Sequence, residues 1–239
     1  MAAEKDVDEA AATGPLSRVR LRWLVMARRH PSAWLLVVQL LGVLLYPTME
    51  HMTAGRLLFN AFSMMVLGLA VWVVRRSPLG IWMALVLAIP AVVFSIAGAV
   101  LGRHLFTTIS QALECLLYFY ATCSLIAYML QDHKVTRDEL FAAGATFTLL
   151  AWAFAFAYSV CQEIFPGSFV ATSSGDYRTW VELLYLSFSL LSGVGLSDVV
   201  PVHPQARALV MLEQFAGVMY VALVVSRLVG LTIHRAQRH

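Results

Sequence analysis

Charge is what this sequence has least of. Only 13% of its 239 residues are Asp, Glu, Lys or Arg, against 60% that are apolar, and the mean hydropathy is +0.75. So few polar groups cannot coat a water-facing surface of this size, which excludes an ordinary soluble domain. Cysteine is also scarce. Cys115, Cys123 and Cys161 are odd in number, show no CxxC or Cys/His spacing, and fall in or beside apolar segments. They read as small apolar helix residues, with no metal or disulfide framework. No HExxH, GxSxG or phosphate-loop pattern occurs, and the seven histidines are scattered through loops and termini, apart from His234 near the last helix end. Without a nucleophile–base pair or a metal set, an enzyme is not expected. The first residues hold Glu4, Lys5, Asp6, Asp8 and Glu9 with no basic run before an apolar stretch, so a secretory leader is not expected either.

What the chain has in quantity is apolar length. Six stretches, near 32–48, 56–74, 79–101, 105–130, 139–164 and 205–232, are long enough to span or nearly span a bilayer. A seventh, Trp180 to Leu191, is too short to cross and reads as a re-entrant helix. Lys and Arg in the short loops set the orientation. With the N-terminus inside, Arg18, Arg20, Arg22, Arg28, Arg29, Arg75, Arg76, Lys134, Arg137, Arg235 and Arg238 are cytoplasmic, and only Arg56, Arg103, Arg178 and Arg207 face out. Both termini are then cytoplasmic, and the re-entrant loop opens outward. The arginines thus have a topological explanation, and nucleic acid is not an expected partner.

The expected organisation begins with a disordered cytoplasmic head (1–16) and a basic segment (17–31). The second either lies on the membrane surface with its arginines at lipid phosphates or is only the flank of the first span. A four-helix peripheral region (32–138) follows. Its fourth span lacks the repeated arginines of a voltage sensor and carries Glu114, with Gln111 and Tyr118 near the same helical face. An intramembrane acid is a functional candidate, and the plainer alternative is an interhelical hydrogen bond.

The informative stretch is Tyr185 to Pro201, YLSFSLLSGVGLSDVVP: a short helix, a Gly-containing extended run, an acid, then a proline. Backbone carbonyls can replace an ion's hydration shell if the run is held extended and glycines let the carbonyls turn to one axis. The C-terminal end of the short helix, near Leu191, would favour a cation there.

At these residues the chain resembles the tetrameric potassium channels. Their pattern of pore helix, Thr-Val-Gly-Tyr-Gly-Asp and inner helix is met here by Gly193, Val194, Gly195, Leu196, Ser197 and Asp198, of which Val194, Gly195 and Asp198 match. Past the filter, Pro201, Ala206-Arg207, Leu212-Glu213, Gly217, Tyr220 and Arg227-Leu228-Val229-Gly230 are similar to the inner helix of small bacterial two-span potassium channels. The resemblance implies a pore domain (139–234) with outer helix 139–164, pore helix 179–191, filter 193–198 and inner helix 205–232.

Departures from the family pattern carry consequences. Gly193 lacks the threonine hydroxyl, Leu196 stands for the tyrosine, and Ser197 replaces a glycine where a side chain resists positive φ. The family's aromatic partner of that tyrosine is Leu186, so an apolar Leu186–Leu196 contact would leave no orphaned polar group. By the same resemblance Tyr185 reaches Asp198, and Ser189 stands where some relatives carry a pore-helix acid. Gly217 is either a hinge of the inner helix or a close-packing site.

The expected fold is therefore an all-α integral membrane protein with six transmembrane helices, a re-entrant pore helix and a potassium-channel-like pore, closed as a homotetramer. The expected function is a channel in the cell's plasma membrane, with potassium or another monovalent cation held by filter carbonyls and no further cofactor. The alternative is a non-conducting, channel-like scaffold or regulatory subunit.

Overall fold

The computed structural model describes residues 31–50, 62, 65–66, 68–72, 81–131, 137–172 and 177–236. The head 1–16, nearly all of the basic segment 17–31 and most of the stretch 56–74 lie outside these residues. The described positions of that stretch are helical.

The elements run α1 (Pro31–Glu50), α2 (Ile81–Leu101), α3 (His104–Gln131), α4 (Arg137–Ile164), β1 (Phe169–Val170), α5 (Trp180–Leu191), β2 (Val200–Pro201) and α6 (Pro204–Ala236). Among the described residues four helices, α2, α3, α4 and α6, are long and apolar enough to cross a membrane, while the apolar part of α1 and all of α5 are shorter. The expected stretches 32–48, 79–101, 105–130, 139–164 and 205–232 coincide with α1, α2, α3, α4 and α6 to within a few residues at each end.

The turn between α2 and α3 shows why the chain reverses so sharply there. Gly102 sits at φ 63° and returns its N–H to the Gly98 carbonyl at 3.0 Å, the left-handed helix end that glycine adopts without steric cost. Gly98 also lets the two helices close together, since a Cβ there would lie 2.8 Å from Thr107 Oγ1.

At the centre is α4, which packs against α1, α3, α5 and α6. Its buried alanines, Ala142, Ala145, Ala151, Ala153 and Ala155, keep its surface low enough for close approach of its neighbours. Rings fill what remains. Tyr118 of α3 stacks on Phe156 of α4 at 5.5 Å, Phe119 meets Phe154 edge-on at 5.1 Å, and Trp152 meets Trp180 of α5 edge-on at 5.0 Å. At the other end of α4, Ser32 of α1 donates to the Asp138 carboxyl at 3.3 Å.

One element was not expected. β1 and β2 pair antiparallel, Phe169 opposite Pro201 and Val170 opposite Val200. Two residues per strand are too few to write a period into the sequence. The pair ties the segment after α4 to the segment before α6, leaving α5 and its following loop enclosed between them.

Candidate functional site

The site is built outward from the start of α5. Thr179 caps the helix: its hydroxyl accepts from the Glu182 N–H at 3.3 Å, and the Glu182 carboxylate accepts from the Thr179 N–H at 2.6 Å. Just before the cap, the Gln162 amide of α4 grips the backbone of Arg178 at both groups, at 2.9 and 3.0 Å. The Arg178 guanidinium lies 3.7 Å from Glu182. The short helix is thus fixed at its N-terminus in both position and rotation.

Its C-terminus hands the chain to the Gly193–Asp198 run. Ser192 returns its N–H to the Phe188 carbonyl at 3.1 Å, Gly193 to Leu190 at 3.1 Å, and Gly195 to Ser189 at 2.9 Å. Gly193 and Gly195 stand at φ 73° and 67° with Val194 between them at negative φ. Alternating hand is the backbone condition under which neighbouring carbonyls turn to the same side; a regular strand sends them to opposite sides. No described non-glycine residue takes a positive φ, so Ser197 does not adopt the left-handed conformation of the glycine it replaces. Its hydroxyl instead accepts from the Val199 N–H at 3.1 Å, a local turn that leads Val199 into the interior. Beyond it the Val202 N–H reaches the Ser168 carbonyl at 2.9 Å, Arg207 Nε donates to the Pro201 carbonyl at 3.2 Å, and His203 stacks on Phe165 at 4.7 Å.

The Gly193–Asp198 run lies on an open face. Val194 is 70% exposed, Leu196 69%, and Gly193, Gly195 and Asp198 are exposed as well. The adjoining face of α6 is equally bare, with Met211, Phe215, Val218 and Met219 all exposed.

Behind this run the packing is tight and partly polar. The Glu213 carboxyl of α6 accepts from the Tyr158 hydroxyl of α4 and pairs with the Ser187 hydroxyl of α5. Ser187 also donates to the Ala151 carbonyl at 2.9 Å. Lower on α6, the Tyr220 hydroxyl donates to the Ala143 carbonyl of α4, and Arg227 lies 3.5 Å from Glu139. Gly217 lies against the end of α5, where a Cβ would fall 2.5 Å from the Leu191 carbonyl oxygen.

With that geometry in place, comparison with known families is informative: residues 145–233 match the family model described as ion channel, a two-span pore module of potassium-channel type. That segment is similar to ion-channel pore modules. No curated protein and no solved structure matches the chain. The apolar helices and this match together point to a membrane protein of several passes.

Within the module the sequence-derived residues fall as follows. Gly193 to Asp198 form one continuous run after α5, exposed but for half-buried Ser197. Ser189 is buried: its carbonyl receives the Gly195 N–H, while its hydroxyl turns back to the Leu186 carbonyl at 2.9 Å. Leu186 is buried, whereas Leu196 is exposed, so one chain alone does not bury the two against each other. Tyr185 is half exposed and Asp198 is exposed, and no hydrogen bond joins them within the chain. Outside the module, Glu114 is buried with its carboxyl 3.2 Å from the Ser110 hydroxyl, which lies 2.9 Å from the Ala91 carbonyl of α2. Tyr118 belongs to the ring packing.

Sequence reasoning noticed Glu213 only as part of the inner-helix match and passed over Ser187, Tyr158 and the Glu139–Arg227 pair. A signal was available for one of them: an acid in the middle of a span is expensive and needs partners.

Proposed function

We propose that the chain is one quarter of a tetrameric cation channel, with four Gly193–Asp198 runs converging on a common axis. The observation that carries this is the alternation of left-handed Gly193 and Gly195 on a run held by the C-terminal carbonyls of α5 and exposed beside the bare face of α6. A single chain leaves those carbonyls with no opposite wall. Four copies about an axis supply it, and closed symmetry is the usual way to do so. Six spans, cytoplasmic termini and residence in the plasma membrane complete the proposal, in line with the basic residues of the short loops. The same fourfold arrangement would bring Tyr185 and Leu196 to subunit boundaries, where their exposed parts find cover.

Potassium is the first candidate ion by the type of module. Its discrimination from sodium is expected to be weaker than the standard filter gives. Gly193 offers no hydroxyl at the innermost position, and Ser197 keeps negative φ where a second left-handed glycine would turn one more carbonyl. The test is the reversal potential of purified full-length protein in planar bilayers under bi-ionic potassium and sodium. A shallow potassium preference is expected, and Gly193→Thr with Ser197→Gly should steepen it. A near-ideal potassium reversal potential in the wild type would remove the relaxed-filter part. A tetramer that carries no current under any gradient would leave the scaffold role in its place.

A further inference from the structure

Glu213 sits where three helices meet. It is 0% exposed, and so are its partners Tyr158 of α4 and Ser187 of α5. Among the described residues no Lys, Arg or His is paired with it. The protons of the cluster can be counted. Tyr158 donates to one carboxyl oxygen, Ser187 bonds the other, and Ser187 also bonds the Ala151 carbonyl, which makes three hydrogen bonds. The two hydroxyls supply two protons, and a backbone carbonyl supplies none. The third proton comes from the carboxyl group. Ser187 then donates to Ala151, accepts from the acid, and leaves every member of the cluster satisfied.

We propose that Glu213 is a positioning residue of the filter, acting as a neutral carboxylic acid that locks the pore helix between the outer and inner helices through Ser187. The proposal rests on the conduction reading given above. Its logic is directional. An apolar side chain at 213 would fill the space with no charge to desolvate, and such replacements are often neutral for stability. A satisfied polar cluster instead fixes one arrangement. Ser187 lies two residues before Ser189, whose carbonyl holds the Gly195 N–H. The depth and rotation of α5 at Ser187 therefore set where the filter's left-handed glycine is held.

Glu213→Gln is the informative variant, because an amide reproduces the acid's pattern: its NH2 donates to Ser187 and its carbonyl accepts from Tyr158. Full-length tetramers carrying Glu213→Gln should keep the wild-type potassium-to-sodium permeability ratio. Glu213→Leu should change it by about fivefold or more, the scale of losing buried hydrogen bonds. Should Glu213→Leu not assemble, Ser187→Ala removes a single hydroxyl and should shift the ratio in the same direction. The infrared difference spectrum of wild type minus Glu213→Gln should show a protonated carboxylic C=O stretch that moves in D2O. A carboxylate band in that difference overturns the neutral acid. A wild-type ratio in both Glu213→Leu and Ser187→Ala overturns the positioning role. A wild type that carries no current overturns the filter role together with the conduction reading, while the infrared band still decides the protonation state.

Discussion

Around α1, α2 and α3 the contacts are mostly apolar or aromatic, whereas α4, α5 and α6 are cross-linked by directional bonds at several depths. In the first region, Tyr118 of α3 packs on Trp152 and Phe156 of α4, and Phe119 of α3 on Phe154 of α4, as rings. Gln39 of α1, although fully buried, has neither of its amide atoms hydrogen-bonded. In the second, Gln162 grips Arg178, Glu213 joins Tyr158 and Ser187, Tyr220 reaches Ala143, and Arg227 faces Glu139. Ring packing tolerates small slides. Directional bonds between buried partners do not, because each slide leaves a polar group unsatisfied. The difference suits the proposed pore, whose carbonyls would have to be held in place beside helices that need only pack.

The largest effect that would test this contrast comes from one methyl group placed in each region. At Gly217 the new Cβ would lie 2.5 Å from the Leu191 carbonyl oxygen and 2.8 Å from its Cα, and backbone cannot step aside as a side-chain tip can. Overpacking of this kind costs about 1–3 kcal/mol per chain. At Gly68, one of the described helical positions between α1 and α2, nothing lies within 4 Å of a new Cβ, and alanine in a helix gains about 1 kcal/mol over glycine. Gly217→Ala should therefore lower the melting temperature of the tetramer and Gly68→Ala should not. A melting temperature unchanged by Gly217→Ala, with altered open probability, would favour the hinge role of Gly217 over close packing.

A second pair holds the backbone strain fixed and changes only its place. Gly195 and Gly102 stand at φ 67° and 63°, and neither has a neighbour within 4 Å of a new Cβ. Alanine in the left-handed region costs roughly 1–2 kcal/mol at either site. Gly195→Ala should abolish or severely reduce current, because the chain relieves the strain by turning a carbonyl. Gly102→Ala should cost similar stability and leave permeation ratios alone. Equal effects of the two on permeation would mean that the filter has no special claim on its backbone conformation.

How much of this the sequence disclosed follows the same division. Length and hydropathy placed α2, α3, α4 and α6, because a span is a property of a window. The short span of Trp180 to Leu191 and the glycines after it marked the filter by residue type. Contacts between distant residues left no such mark. Gly217 was visible as an oddity in a helix, but its partner Leu191 is known only once α5 and α6 are packed. Glu213 was visible as an acid in a span, but its partners lie 26 and 55 positions away. The β1–β2 pair, two residues a side, had no pattern to read.

A smaller effect is expected at the inner end of the module. Arg227 and Glu139 are 3.5 Å apart and largely shielded, joining the inner half of α6 to the first turn of α4. Single neutral variants, Arg227→Gln or Glu139→Gln, should each destabilise the tetramer. A double-mutant cycle should return a coupling of about 1 kcal/mol, above what a surface pair gives. A coupling near zero would place this pair with surface contacts and confine the directional bonding to the filter's level.

The smallest effect expected is that of voltage. A steep conductance–voltage curve needs several charges per subunit moving through the field, and one elementary charge is worth about 2.3 kcal/mol per 100 mV. α3, His104–Gln131, contains no Lys or Arg, and its single acid, Glu114, is buried against Ser110. The peripheral helices therefore pack without a charge ladder, in keeping with contacts that are mainly rings and methyl groups. Conductance measured in symmetrical solutions free of blocking divalent ions should vary only weakly with voltage. Glu114→Gln should leave even that slope unchanged. A steep curve in the wild type that flattens in Glu114→Gln would show that Glu114 moves in the field. The peripheral region would then be as directionally wired to the pore as the module is within itself.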